Sequence, residues 1–465
     1  MPDNLIKSHW IFTRIEEHGK KPFLIFDGKV YSYADLNREI NRISIEIHEA
    51  GIMEFTSVAL ISDFSFKAIA CILALFAKNC LITPLTNLSE PEFGKRLDQC
   101  YADYTVRLKV GSNQILIQKN DNRKGYHELI ENIFNDCHSG LILFSSSTTG
   151  NAKAMIHDLD QFLSRYENKR SRRLTILVFL MFDHIGGLNT LFNSLAIGAK
   201  MVIPLERDAD HVANLIAQNG VNLLPTSPTF LNLLLISNCH LNYNFSSLRI
   251  ITYGTEPMPE SLLHKLKNAF PKVKLLQTFG TSETGISQTV SKSSTSLLMK
   301  LDDPNIQYRV VDGELWLKSK TQIKGYLNYA MDQFTNDGWF MTGDLVEKTE
   351  DGFLKMIGRN SDIINVGGEK VFPSEIESVL MEIPNIVDCI VIGRPNAITG
   401  QAVCAQVVIQ AGIDKKVIKR EIRHYCRRIL SNYKVPQIVE IVEKTNVGHR
   451  FKKLRQTSKQ YVQQS

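Results

Sequence analysis

Leu141-Ile142-Leu143-Phe144-Ser145-Ser146-Ser147-Thr148-Thr149-Gly150-Asn151-Ala152-Lys153 is the stretch on which the reading of this chain turns. Its four leading apolar residues, bounded by a turn signal, predict a buried strand. The hydroxyl- and glycine-rich run that follows, closed by a lysine, has what a phosphate cradle needs. Backbone N–H groups and short hydroxyls reach phosphate oxygens, and an ammonium supplies compact positive charge. The spacing Gly-x-x-x-x-Gly-Lys-Ser/Thr is missing, so this is not a Walker A loop.

Outward from this loop, short apolar runs alternate with helical patterns. Residues 58–61 predict a strand and 66–78 a helix; 176–182 predict a buried strand, and 187–198 a helix closed by Gly198. Strands at 200–204, 248–253 and 274–279 alternate with helices at 211–219 and 259–270. That rhythm predicts an α/β fold with parallel sheets covered by helices. After Arg359 the texture changes: a short helix over 375–381, strands over 388–393 and 403–409, and a basic helix over 417–430 predict a compact α+β unit. Two domains are expected, a large one over 1–360 and a small C-terminal lid over 361–465.

Length and composition agree with this division. A chain of 465 residues is long enough for two or three domains, and 43% hydrophobic with 22% charged residues is ordinary for a soluble protein. The longest apolar run, 68–77, is far short of a bilayer span, and no secretory signal is expected at Met1-Pro2-Asp3-Asn4. The eight cysteines form no C-x-x-C pair and are read as reduced core thiols, which points to the cytoplasm. From Ser361 onward 16 basic residues face 10 acidic ones, so the tail carries the whole net charge of +6. Its basic residues are not interleaved with aromatics, and nucleic acid is not an expected partner.

Four further segments carry chemistry. Phe279-Gly280-Thr281-Ser282-Glu283 ends a strand with hydroxyls and a carboxylate that can hold Mg2+ against a triphosphate. Thr342-Gly343-Asp344 sets an acid after a tight turn, suited to accepting hydrogen bonds from ribose hydroxyls. Gly358-Arg359 adds a cation at the domain boundary. Gly367-Gly368 opens a loop that feeds a helix, where Ser374 and Glu377 have the spacing of a capping box.

The order and spacing of these segments, together with Phe182-Asp183-His184-Ile185-Gly186-Gly187 and the run from Tyr253 to Met258, resemble the adenylate-forming superfamily. Its members include acyl- and aryl-CoA ligases, peptide-synthetase adenylation domains and firefly luciferase, and the resemblance covers nearly the whole chain. It implies that Ser145, Ser146, Ser147, Thr148, Thr149 and Gly150 wrap the phosphates of ATP with Lys153. It implies that Thr255, Glu256 and Pro257 line the adenine, with Phe279 stacking on it and Gly280 and Thr281 beside it. Ser282 takes the place of a threonine near the α-phosphate, Glu283 binds Mg2+, and Asp344 and Arg359 hold the ribose. His184 and Gly186 line the acyl pocket, Ser361 is the hinge, and Gly367 and Gly368 border a pantetheine tunnel. The activity implied is adenylation of a carboxylic acid by ATP, followed by transfer of the acyl group to a thiol. That thiol belongs to CoA or to the phosphopantetheine of an acyl carrier protein.

The chain departs from the family pattern at its C-terminus. There the family keeps Thr-x-x-Gly-Lys, whose lysine bridges the substrate carboxylate and ATP. This chain reads Thr445-Asn446-Val447-Gly448-His449-Arg450-Phe451-Lys452-Lys453, and an ungapped match puts His449 at the lysine position. Either Lys452 or Lys453 substitutes from nearby, or the protein binds adenylates with weakened adenylation. The histidine at 184, where amino-acid-activating relatives use an aspartate, points to an acid other than an α-amino acid.

Overall fold

The computed structural model describes residues 7–86, 90–108, 114–120, 125–145, 152–448 and 451–455. Two seven-stranded sheets form most of the large domain. One runs in the order Lys274–Gln277, Ile250–Tyr253, Leu223–Thr226, Thr175–Leu177, Lys200–Val202, Pro22–Phe26, Lys29–Ser32. All its pairs are parallel except the last, which is an antiparallel edge hairpin. The other runs Gly325–Tyr326, Ala154–Asp158, Gly140–Phe144, Leu81–Leu85, Ser57–Ile61, Tyr104–Leu108, Ile115–Lys119.

One core joins side chains of both sheets to the helices Phe66–Ala77 and Ile185–Ile197. In the first of these every residue but Lys67 is buried. A helix apolar on all sides is what two flanking sheets require. The α/β class therefore holds. The helix Ile185–Ile197 ends at Gly198, which takes the left-handed conformation (φ 69°) as its C-cap.

The strand expected over 176–182 is only Thr175–Leu177. Val178, Phe179, Met181 and Phe182 are buried without joining a ladder. Their apolar character reports burial, which periodicity in a short run cannot tell from a strand.

A six-stranded antiparallel sheet follows, from Thr289–Ser291 to the paired strands Phe340–Lys348 and Leu354–Arg359. Beyond a turn at Asn360–Asp362 lies a separate five-stranded sheet built on the long hairpin Ile386–Asn396 and Gly400–Ile409. It carries its own apolar core, shared with the helices Pro373–Leu380 and Lys415–Ile429. All eight cysteines are free thiols, seven of them buried and Cys137 exposed. Among the described residues no helix is long and apolar enough to cross a membrane.

Candidate active site

Three neighbouring parallel strands, Leu223–Thr226, Ile250–Tyr253 and Lys274–Gln277, end at one edge of the first sheet. The carboxyl ends of such strands are where open α/β sheets bind ligands. The loops leaving the last two, Gly254 to Pro257 and Thr278 to Gly280, form one wall of a cleft. Asp344, Met356, Gly358 and Arg359 continue it, and Asp362, Pro373, Ser374, Lys452 and Arg455 close it from the small domain. A β-carbon at Gly254 would stand 2.8 Å from the carbonyl oxygen of Thr278, so only glycine lets the two loops meet. Thr255 beside it holds φ 72°, rare for a threonine and a mark of a functional loop.

Asp344 and Arg359 lie opposite each other in the paired strands and form an ion pair of 2.9 Å in the cleft. Thr342 fixes the turn before them: its hydroxyl donates to Leu315 O at 2.6 Å and accepts from Asp344 N at 3.0 Å. Burial raises the Asp344 pKa above its ordinary value, with the Arg359 charge opposing the rise. Phe279 and Gly280 also line the cleft.

Thr281 does not line it: its buried hydroxyl pairs with Thr284 Oγ1 at 3.0 Å and closes its own turn. Ser282 is likewise not among the lining residues. Glu256 lies in the wall, yet its carboxylate is spent on fastening backbone. It accepts from Thr229 N at 2.7 Å and from Lys453 N at 3.3 Å.

A second cluster gathers the cation and carboxylate expected at the phosphates. Ser145 and Lys153 clamp the base of the hydroxyl loop through Ser145 N to Lys153 O and Lys153 N to Ser145 Oγ, both 3.0 Å. Ser146, Ser147, Thr148, Thr149 and Gly150 lie outside the described residues. The Lys153 ammonium stands 4.8 Å from the centre of the Tyr326 ring and bonds Gln333 Oε1. The Tyr326 hydroxyl donates to Glu283 Oε1 at 3.1 Å. Tyr326 thus links Lys153 to Glu283. Sequence reading missed it, because a tyrosine on a two-residue edge strand has no local signature.

Among the described residues no group of three or more His, Cys, Asp or Glu side chains could hold a metal ion. The lone Glu283 carboxylate nevertheless fits Mg2+, which takes one or two carboxylates and completes its shell with phosphates and water.

The C-terminal segment sends three consecutive side chains in three directions. Phe451 packs against the large domain, Lys452 lines the cleft, and Lys453 turns into the small domain. There Lys453 Nζ donates to Cys389 O at 2.6 Å and pairs with Asp388 at 2.9 Å. Burial works against the Lys453 charge, but Asp388 and Glu377 outweigh it and hold the pKa above the ordinary value. Lys452 is held below its ordinary value by burial and by Arg359. His449 lies outside the described residues.

Arg455, another residue missed in the sequence, bonds Glu377 at 2.7 Å and faces Asp362 at 3.6 Å. The expected capping box is therefore absent. Glu377 serves Arg455 and Val391 N, Ser374 donates to Ile357 O, and the N-cap of that helix is Phe372.

His184 caps the helix Ile185–Ile197, its Nδ1 accepting from Gly186 N at 3.1 Å; neither residue lines the cleft. Ser361 lies in the turn between the domains, its hydroxyl donating to Asp362 at 2.9 Å. Gly367 (φ 62°) and Gly368 (φ 94°) make an exposed turn on the small domain, outside the cleft. Gly367 N bonds Thr399 O at 2.9 Å in the adjacent hairpin.

Comparison with known proteins bears on this arrangement. The model of the family described as AMP-binding enzyme matches residues 11–327, and that of the AMP-binding enzyme C-terminal domain matches 375–449. The chain belongs to the AMP-binding enzyme family. It is an AMP-forming acid–thiol ligase: it activates a carboxylic acid as an acyl-adenylate and transfers the acyl group to a thiol. A 2-succinylbenzoate–CoA ligase of Listeria monocytogenes serovar 1/2a is 26% identical over 456 residues, covering 94% of this chain and 96% of that protein. A long-chain-fatty-acid–CoA ligase of Yersinia pestis is 29% identical over 340 residues, 67% of this chain and 60% of that one. ATP-bound MatB from Rhodopseudomonas palustris shares the fold with a TM-score of 0.80 at 21% identity, covering 98% of both chains. So does the o-succinylbenzoate CoA synthetase of Bacillus subtilis in complex with its acyl-adenylate, at 0.76 and 20%, covering 97% of both.

Proposed function

We propose that the acceptor is CoA, that the acid is 2-succinylbenzoate or a similar aromatic acid, and that Lys452 is the lysine of the adenylation step. The observation that carries this reading is Lys452 in the same cleft as the Asp344–Arg359 pair, brought there by the small domain. The 2-succinylbenzoate–CoA ligase of Listeria, similar over nearly the whole of both chains, supports the choice of acid and acceptor.

The mechanism follows from charge. ATP takes the cleft with its base beside Phe279 and the loop from Thr255 to Pro257, and its ribose on Asp344 and Arg359. Lys153 and the loop from Ser145 to Gly150 hold the outer phosphates, and Glu283 would hold Mg2+, which supplies further neutralisation of phosphate charge. A carboxylate oxygen attacks the α-phosphorus and pyrophosphate leaves. Both reactants are anionic, so catalysis is chiefly neutralisation and alignment. Lys452 contributes a cation whose desolvated position strengthens its pull on both.

The small domain then turns about Ser361. That motion withdraws Lys452 and brings the Gly367–Gly368 turn to the site as the border of the pantetheine tunnel, with His184 and Gly186 at the acyl group. The thiolate attacks the acyl carbon and AMP leaves. One cleft serves two half-reactions by hinge motion.

Pyrophosphate exchange with 2-succinylbenzoate, anthranilate, malonate, a long-chain fatty acid and an α-amino acid tests the choice of acid. Exchange is expected to be fastest with 2-succinylbenzoate and absent with the amino acid. Preference for the amino acid would overturn the substrate reading. Faster transfer to a holo-carrier protein than to CoA would overturn the choice of acceptor.

A further inference from the structure

Phe451 precedes Lys452 with φ 52°, the left-handed backbone that glycine favours and a bulky side chain resists. Gly448, the glycine that the sequence match set at this turn, is not in that conformation. A phenylalanine holds such a backbone only where its surroundings over-determine it.

Here they do. The Phe451 ring lies 5.0 Å from Phe179 and 5.6 Å from Phe230, edge-on to the latter. Those two rings are themselves 4.1 Å apart and buried in the core of the large domain. The Phe451 carbonyl accepts from Ser227 Oγ at 2.7 Å, and the same hydroxyl caps the helix Pro228–Ile236 through Phe230 N at 3.2 Å. From behind, the segment is folded back on itself by Gly448 N to Lys452 O and Leu454 N to Asn446 O, both 2.9 Å. On the other side of Lys452, the backbone N–H of Lys453 donates to Glu256. Lys452 is therefore gripped on both sides by contacts to the large domain, and its direction into the cleft is set by them.

We propose that Phe451 is a positioning residue for adenylation: its ring, keyed against Phe179 and Phe230, docks the C-terminal segment so that Lys452 lies in the nucleotide cleft. The proposal rests on the reading of Lys452 as the adenylation lysine. Turning the small domain withdraws the ring from its seat, so the effect of Phe451 is confined to the first half-reaction. Glycine at this position would relax the backbone and lose the key.

Two measurements on the full chain test this. In the first, Lys452 is acetylated with limiting acetic anhydride in the presence of ATP and its extent read by peptide mass spectrometry. Phe451→Ala should raise labelling of Lys452 about tenfold, and Phe451→Leu, which keeps an apolar key, should raise it much less. In the second, pyrophosphate exchange with 2-succinylbenzoate should fall by about tenfold or more in Phe451→Ala and Phe451→Gly. Thioester formation from supplied acyl-adenylate should not change. Unaltered labelling, or a rise spread over all lysines as in general unfolding, overturns the docking. If labelling rises but exchange persists in Phe451→Ala and is lost in Lys452→Ala, the lysine reading stands and the positioning role falls. If exchange survives Lys452→Ala itself, the lysine reading has failed, whatever Phe451 does.

Discussion

Burial and the facing Arg359 guanidinium both push the Lys452 pKa below the ordinary lysine value of 10.5, while Glu256, Asp362 and Asp344 pull the other way. The adenylation role needs the charged form. Activity is therefore full below the lowered pKa and lost as pH rises through it, earlier than for an exposed lysine. Lys452→Arg keeps its charge across that range, so its pyrophosphate exchange should persist further into alkaline pH. Its rate near neutrality should fall, because a planar fork cannot reproduce a point contact. Were His449 the cation instead, wild-type exchange would already decline between about pH 6 and 8. At this scale the sequence was legible where a residue acts with its neighbour across a ladder, as Asp344 does with Arg359. It was silent where a side chain serves the backbone: Glu256 lines the cleft, yet its carboxylate accepts from Thr229 N and Lys453 N. In the ungapped match His449 stands at the lysine position and lies outside the described residues, while Phe451, two residues on, takes the left-handed conformation.

Helices and parallel strands were legible because their apolar runs coincide with burial, as in Phe66–Ala77 and Ile185–Ile197. The surroundings of a turn were not. A β-carbon at Gly367 would touch Thr399 Cγ2 at 3.8 Å, while one at Gly368 would face open space. A larger residue at Gly368 meets nothing in this arrangement, although φ 94° strains any side chain. Gly368→Leu should therefore leave pyrophosphate exchange within about twofold of wild type and slow thioester formation by about a hundredfold. Equal loss of both half-reactions would mean that the turn supports the fold and not the tunnel. Gly187 is the opposite case: a β-carbon there would fall 2.0 Å from Met181 O, so its glycine serves packing alone.

Among the described residues the two domains meet through a handful of bonds. Besides the Phe451 ring and its carbonyl, Lys453 N donates to Glu256 at 3.3 Å, Asn232 Nδ2 to Val387 O at 3.2 Å, Lys265 Nζ to Met381 O at 3.1 Å, and Ser374 Oγ to Ile357 O at 2.6 Å. Each is worth about 0.5–1.5 kcal/mol net. The left-handed backbone at Phe451 costs about 1–2 kcal/mol, against only part of the about 1.5–3 kcal/mol that full burial would give, since the ring is half-buried. The sum is a few kcal/mol, which differential binding of substrates and products can overturn. Such a contact is strong enough to align Lys452 and weak enough to release it. The change of texture after Arg359 coincides with the start of the separate five-stranded sheet; the contact surface was not visible, because it depends on residues more than 200 positions apart, such as Ser227 and Phe451.

On the proposed reading, one cleft runs two half-reactions and Lys452 serves only the first. The direct test is to compare Lys452→Ala and Lys453→Ala in pyrophosphate exchange and in thioester formation from pre-made acyl-adenylate. Lys452→Ala should lose about two orders of magnitude or more in exchange and keep the second reaction. Lys453→Ala, which leaves the half-buried Asp388 without its cation, should lower thermal stability and affect both reactions alike. Full exchange in Lys452→Ala, or equal loss of both its half-reactions, would contradict the account.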